Sequence, residues 1–241
     1  MRIHYQNVDI AYGPYPVLKN INFHADEGEF IYLIGKVGTG KSSLLKTFYG
    51  ELDIKQGEAT VLDYNIRKLK SRHLPGLRKQ LGIVFQDFQL LMDRNVYYNL
   101  DFVLRATGMK KKKERQKRIN EVLEQVGLLD KSQQMPFELS GGEQQRICIA
   151  RAILNHPKVI LADEATGNLD KENSRKAAQL LHEISKDGTT VIMSTHNESL
   201  ITEFPGIVYR CANGLVEECT DEFCTPNDKL VIQTEKIEEN S

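Results

Sequence analysis

Gly35, Lys36, Val37, Gly38, Thr39, Gly40, Lys41 and Ser42 stand in the spacing of a phosphate-binding loop. Glycines at 35, 38 and 40 let the backbone turn tightly enough to aim its N–H groups inward at phosphate oxygens. Lys41 reaches the β and γ phosphates as a point charge, and the Ser42 hydroxyl is a ligand for Mg2+. The helical pattern that begins here, with Ser43 in its first turn, adds the positive end of its dipole. Further on, Val159, Ile160, Leu161 and Ala162 deliver Asp163 and Glu164 to the end of an apolar run. Asp163 is then placed to hold Mg2+ directly or through water, and Glu164 to polarise an attacking water. Two carboxylates at a strand end also suit a solvated turn, and it is the phosphate loop that favours the metal reading. A third group, Ser140, Gly141, Gly142 and Glu143, opens a helical run over 143–154 and offers a hydroxyl and closely approachable N–H groups to an anion. On its own this group reads as a serine N-cap.

These groups need a scaffold that brings distant segments together. The run 30–34 is continuously apolar and ends at glycine, and 42–49 carries Leu44, Leu45 and Phe48 at helical spacing. Strand, glycine loop and helix thus follow in order. Short strands are expected at 81–85, 159–162 and 190–194, with a helix over 173–186 between the last two, as in an α/β protein with a parallel sheet. Residues 3–25 alternate around Gly13, Pro14 and Pro16, which predicts short antiparallel strands and turns. The segment 90–138 turns mainly helical, with Ile119, Val122, Leu123 and Val126 at three- and four-residue spacing, and reads as a helical subdomain inserted into the sheet domain. A strand pair near 208–209 and 215–216 turns at Asn213 and Gly214. Residues 221–241 are polar and acidic, a tail expected to be flexible, which leaves 1–220 as one domain.

At 241 residues, 40% hydrophobic and 27% charged, the chain has the composition of a folded protein with one sizeable core or a core plus an embedded subdomain. A formal net charge of −1 sets up no global field, so nucleic acid is not an expected partner. No apolar run approaches the roughly 20 residues of a membrane-spanning helix, and the N-terminus lacks the apolar core of a secretory signal. A cytosolic protein with reduced cysteines is expected, since Cys148, Cys211, Cys219 and Cys224 show no paired metal-site spacing.

The three groups in this order, with Leu139, Ser140, Gly141, Gly142, Glu143, Gln144, Gln145 and Arg146 in the middle, resemble the ATP-binding subunits of ABC transporters to about residue 216. The resemblance implies a P-loop ATPase cassette: a mainly parallel core sheet, an N-terminal antiparallel β subdomain and an inserted helical subdomain. It implies ATP and Mg2+ as ligands. It also implies that residues 140–143 contact the γ phosphate of an ATP held by the phosphate loop of a second subunit. One chain carries one of each, so a head-to-tail homodimer enclosing two ATP molecules satisfies both. Other roles follow only from the resemblance. Tyr12 stands where the family stacks an aromatic on adenine, with Val17 beside it. Gln86 corresponds to the glutamine that senses the metal and the attacking water, Asp170 in Asn168-Leu169-Asp170 to the loop that crosses the dimer interface, and His196 to the histidine that contacts the γ phosphate.

Two positions depart from the family pattern. Ala165 stands where many relatives have proline, which predicts a looser turn after Glu164, and Lys36 adds a positive charge to the phosphate loop. Neither removes a reacting group. The strings 77–91, 93–100 and 165–170 resemble the cell-division branch of the family more than its lipoprotein-release and macrolide-export branches. That branch implies an integral membrane partner, a place at the inner face of the bacterial plasma membrane, and a signal across it rather than solute transport. An ATP-dependent clamp with little hydrolysis stays open. The basic run 110–118 reads either as a solvated helix start or as a contact for anionic lipid.

Overall fold

The computed structural model describes residues 1–223. Two strands open the chain, β1 (Ile3–Tyr12) and β2 (Tyr15–Ala25), of 10 and 11 residues. They are longer than the glycine and prolines suggest, because only Gly13, at φ 58°, and Pro14 leave the ladder and Pro16 lies on an edge strand. In β1, Asn7 at φ 50° marks a register slip between Tyr5 and Val8, so Ile3, Tyr5, Val8 and Ile10 all bury despite the odd step. Next come β3 (Phe30–Ile34), α1 (Lys41–Phe48), β4 (Ile54–Val61), β5 (Tyr64–Asn65), α2 (Leu74–Arg78) and β6 (Leu81–Val84). Three helices follow, α3 (Val96–Ala106), α4 (Lys112–Gln125) and α5 (Gly141–Ile153). The described chain closes with β7 (Val159–Ala162), α6 (Lys171–Lys186), β8 (Thr190–Thr195), α7 (Ser199–Glu203), β9 (Ile207–Ala212) and β10 (Leu215–Glu218). The β9–β10 turn has Asn213 and Gly214 at φ 52° and 77°, the left-handed pair a two-residue hairpin requires.

One sheet is antiparallel with order β2-β1-β4-β5; the other has order β10-β9-β3-β8-β7-β6 and is parallel except for β10. Local periodicity does not announce β4, whose apolar residues are broken up by Lys55, Gln56 and Glu58. A Cβ on its Gly57 would lie 2.3 Å from the Asn7 carbonyl oxygen, so the glycine is what lets β4 lie against β1. Within the parallel sheet, Ile31, Leu33 and Leu161 face α1 and the antiparallel sheet, whereas Tyr32, Ile160 and Met193 face the helices. Burial on both faces explains why these strands are apolar without alternation. The parallel register pairs Ile34 with Thr195, Val84 with Ala162, and Ala162 with Met193. Loops after β3, β6, β7 and β8 therefore leave from one edge, where open α/β sheets hold ligands.

Between β6 and α5, α3 and α4 pack on one another and on α5. A buried ion pair, Arg115 Nε to Asp101 Oδ1 at 2.5 Å, joins them, and Arg115 also donates to the carbonyls of Met109 and Lys110. Arg118 donates to the carbonyls of Ile153 and Leu154 at the end of α5. Two cations of the 110–118 run thus serve the interior, leaving Lys110, Lys111, Lys112, Lys113 and Lys117 exposed. At the other end, Arg210 grips Glu222 with two bonds of 2.7 and 2.6 Å, and Phe223 packs on the helical core. The start of the expected tail is therefore folded, and 224–241 lie outside the described residues. No helix among the described residues is long and apolar enough to cross a membrane.

Cys148, Cys211 and Cys219 are free thiols. Burial pushes Cys148 up to about 11 and Cys211 up to about 12. Since only the thiolate reacts, iodoacetamide at about pH 8 should leave both unlabelled in the native protein and label both in denaturant. Peptide mass mapping checks this, and rapid native labelling of either residue would contradict the burial.

Candidate nucleotide site

The loop from β3 to α1 is built on left-handed glycines, Gly35 at φ 141°, Gly38 at 83° and Gly40 at 100°. Sterics add to the demand, since a Cβ on Gly35 would come within 2.3 Å of the Cys211 carbonyl oxygen. Gly40 caps α1, so the helix N-terminus opens directly onto the loop. Lys41 is only 4% exposed; its Nζ donates to the carbonyls of Gly35 (2.8 Å) and Lys36 (3.1 Å) and lies 3.6 Å from Glu164 Oε1. Lys36 and Val37 are exposed at the loop tip, and Thr39 Oγ1 donates to the Lys36 carbonyl.

The carboxylates meet this loop across the sheet. Ser42 Oγ donates to Asp163 Oδ1 at 3.0 Å, and Ser194 Oγ in β8 donates to the same oxygen at 2.7 Å. Ser194 Oγ in turn accepts from the Glu164 backbone N–H at 2.8 Å. Glu164 itself holds φ 44°, a left-handed conformation for a residue with a side chain. In place of the proline that position 165 lacks, hydrogen bonds hold this turn: Gly167 N–H donates to the Glu164 carbonyl, and Ser174 Oγ to that of Thr166. Ser194 escaped the reading of the sequence. Its only signal there is a polar residue in an apolar strand two positions before His196.

Gln86 follows β6, is exposed, and has its carbonyl held by Asn168 Nδ2 at 3.1 Å. It lines a cleft of about 420 Å3 whose wall also includes Ser42, Asp163 and Tyr49. The structure thus gathers Lys41, Ser42, Asp163, Glu164 and Gln86. His196 is exposed just past β8 on the same edge, and no hydrogen bond or ion pair among the described residues ties it to the group. Tyr12 is 47% exposed at the end of β1, and Val17 is half-buried on β2 next to Leu18, which packs under Gly40.

Ser140 caps α5 through a reciprocal arrangement: its Oγ accepts from Glu143 N–H, and its own N–H and hydroxyl donate to Glu143 Oε2 at 2.8 Å. These bonds hold the Glu143 carboxyl below the usual carboxylate range. A Cβ on Gly142 would lie 2.1 Å from Asn173 Oδ1, so the glycine admits the start of α6. Asp170, expected in the loop that crosses the dimer interface, caps α6, accepting from Asn173 N–H at 2.9 Å and its Nδ2 at 2.6 Å, which lowers its own carboxyl. No hydrogen bond or ion pair among the described residues joins 140–143 to 35–43.

A two-sheet α/β fold with this loop and these carboxylates at the C-terminal edge of its parallel strands defines a P-loop ATPase. The family model described as ABC transporter matches residues 18–167, and the chain belongs to that family. It is similar to the cell division ATP-binding protein FtsE of Mycobacterium tuberculosis, 46% identical over 77% of this chain and 80% of that one. FtsE of Escherichia coli K12 is 44% identical over 83% and 90% of the two chains, and that of Streptococcus pneumoniae D39 is 42% identical over 83% and 86%. Among solved structures, a dimeric ATP-binding cassette in a post-hydrolysis state with ADP and Pi superposes with a TM-score of 0.80 at 33% identity, covering 89% of this chain and 96% of that one.

Proposed function

We propose that this chain is the ATP-hydrolysing subunit of a cell-division complex, acting as a homodimer beneath an FtsX-like integral membrane partner at the inner face of the plasma membrane. The observation that carries this is the Lys41, Ser42, Asp163 and Glu164 group in a chain 42 to 46% identical to FtsE proteins. Residues 1–220 form one ATPase domain with 90–138 as its inserted helical subdomain. Backbone N–H groups of 35–43 and the Lys41 ammonium hold the β and γ phosphates. Ser42 and Asp163 supply a hydroxyl and a carboxylate 3.0 Å apart, two hard oxygen donors that suit Mg2+ when phosphate and water complete the shell. When bound, the ion neutralises phosphate charge. Glu164 polarises the attacking water, Gln86 and His196 orient water and γ phosphate, and the exposed face of Tyr12, beside Val17, takes the adenine.

Ser140, Gly141, Gly142 and Glu143 serve the phosphate loop of a second copy, as does Asp170 across the interface. Two equivalent sites then form under two-fold symmetry. ATP closes the dimer, and hydrolysis with loss of phosphate opens it. The membrane partner docks on Leu91, Met92, Tyr98 and Phe102, exposed apolar residues on α3 and the loop before it, downstream of Gln86. Any lipid contact falls to Lys110, Lys111, Lys112, Lys113 and Lys117. Closing and opening send a conformational signal across the membrane that controls cell-wall hydrolysis.

Purification of the full-length chain with its native membrane subunit tests the reading. A four-helix partner with no lipoprotein-carrying or drug-exporting domain is the expected result. An export-type subunit would overturn the cell-division assignment and leave the ATPase assignment standing.

A further inference from the structure

Between Gln86 and α3 the chain makes a turn that none of these roles uses. Phe88 and Gln89 both adopt left-handed backbone, φ 56° and 50°, and Gln89 N–H donates to the Asp87 carbonyl at 2.5 Å, closing a three-residue turn across Phe88. Consecutive strained residues persist only where their surroundings over-determine them. Those surroundings belong to α5. Arg151 donates one guanidinium nitrogen to the Gln89 carbonyl at 2.6 Å and the other to the Phe88 carbonyl at 2.7 Å, and Cys148 Sγ donates to the Phe88 carbonyl at 3.2 Å. Asn168 holds the Gln86 carbonyl upstream, and the Asn99 side chain accepts from and donates to the Leu91 backbone downstream, at 2.7 and 3.1 Å. The loop is fixed at three points. The middle one hangs from the helix that begins at Gly141, directly after Ser140.

We propose that Arg151 is a positioning residue for hydrolysis. Its two-pronged grip on the turn at Phe88 and Gln89 sets where Gln86 stands and makes α5, with Ser140 at its start, move as one body with that glutamine. A planar fork fits this task because it satisfies two adjacent carbonyls at once; a lysine, one point charge on a flexible stem, cannot hold both in that geometry. The inference rests on the role proposed above for Gln86.

Steady-state hydrolysis of Mg-ATP by the full-length protein tests it, using wild type, Arg151→Ala, Gln86→Ala and the double variant. Arg151→Ala should lower kcat about tenfold, the scale of a misplaced catalytic group, and leave KM for ATP within about twofold. In the Gln86→Ala background the same substitution should cost nothing further, because the group it positions is gone. Arg151→Lys should fall between wild type and alanine, and it carries the same cycle if the alanine variant does not fold. An equal further loss in the Gln86→Ala background overturns the proposal, as does a rise in KM at unchanged kcat. Wild-type turnover in Gln86→Ala alone would instead sink the role given to Gln86, and with it this coupling.

Discussion

Glu164→Gln lowers steady-state phosphate release at least about a hundredfold, the scale lost when a general base is removed, while Mg-ATP still drives dimerisation. The substitution keeps side-chain length and shape. It also keeps the backbone bond from Glu164 N–H to Ser194 Oγ and adds no strain at φ 44°, since both residues carry the same Cβ. What changes is charge. Lys41 loses a carboxylate 3.6 Å away but retains its bonds to the Gly35 and Lys36 carbonyls, so the phosphate loop stays formed. ATP therefore binds, the dimer closes, and the step that reopens it fails. Phosphate release alongside size-exclusion chromatography with light scattering reads both halves. Equal turnover in variant and wild type would remove Glu164 as the base and favour a clamp for which binding suffices.

Ser140→Arg separates ATP binding from dimer closure. Ser140 makes no bond to residues 35–43 of its own chain, so affinity of the isolated subunit for ATP should stay within about twofold. Closure should be lost, since a long cation replaces a hydroxyl at the helix N-terminus where the proposed dimer brings the partner's γ phosphate. Loss of the cap itself costs α5 about 1 kcal/mol, which Ser140→Ala also incurs. Alanine is therefore the control: it keeps the backbone N–H groups of Gly141 and Gly142 accessible and should retain part of the ATP-driven dimer. Light scattering with Mg-ATP in the Glu164→Gln background decides it. A normal dimer of the arginine variant would place the interface elsewhere.

The phosphate loop, the Asp163 and Glu164 pair and the Ser140 group were legible because each is a short string whose neighbours in sequence are neighbours in space. Strands 30–34 and 159–162 were legible for a related reason: burial on both faces leaves an unbroken apolar run. β4 was not, because only Ile54, Ala59 and Val61 of its eight residues are buried and its glycine answers to the backbone of β1 rather than to its own neighbours. Arg115 and Arg118 read as surface charges, since nothing local shows that Asp101 and the end of α5 wait for them. The sequence alone therefore determined which chemistries are available and which strand, loop or helix presents each. Only the tertiary structure decided which of them meet. Ser42 reaches Asp163 across 121 residues, Ser194 joins the same oxygen, and Arg151 holds the turn beyond Gln86, all through the order and register of one parallel sheet and the helices packed on it. Local periodicity reports which face of an element is buried; it carries no term for which other element lies against that face.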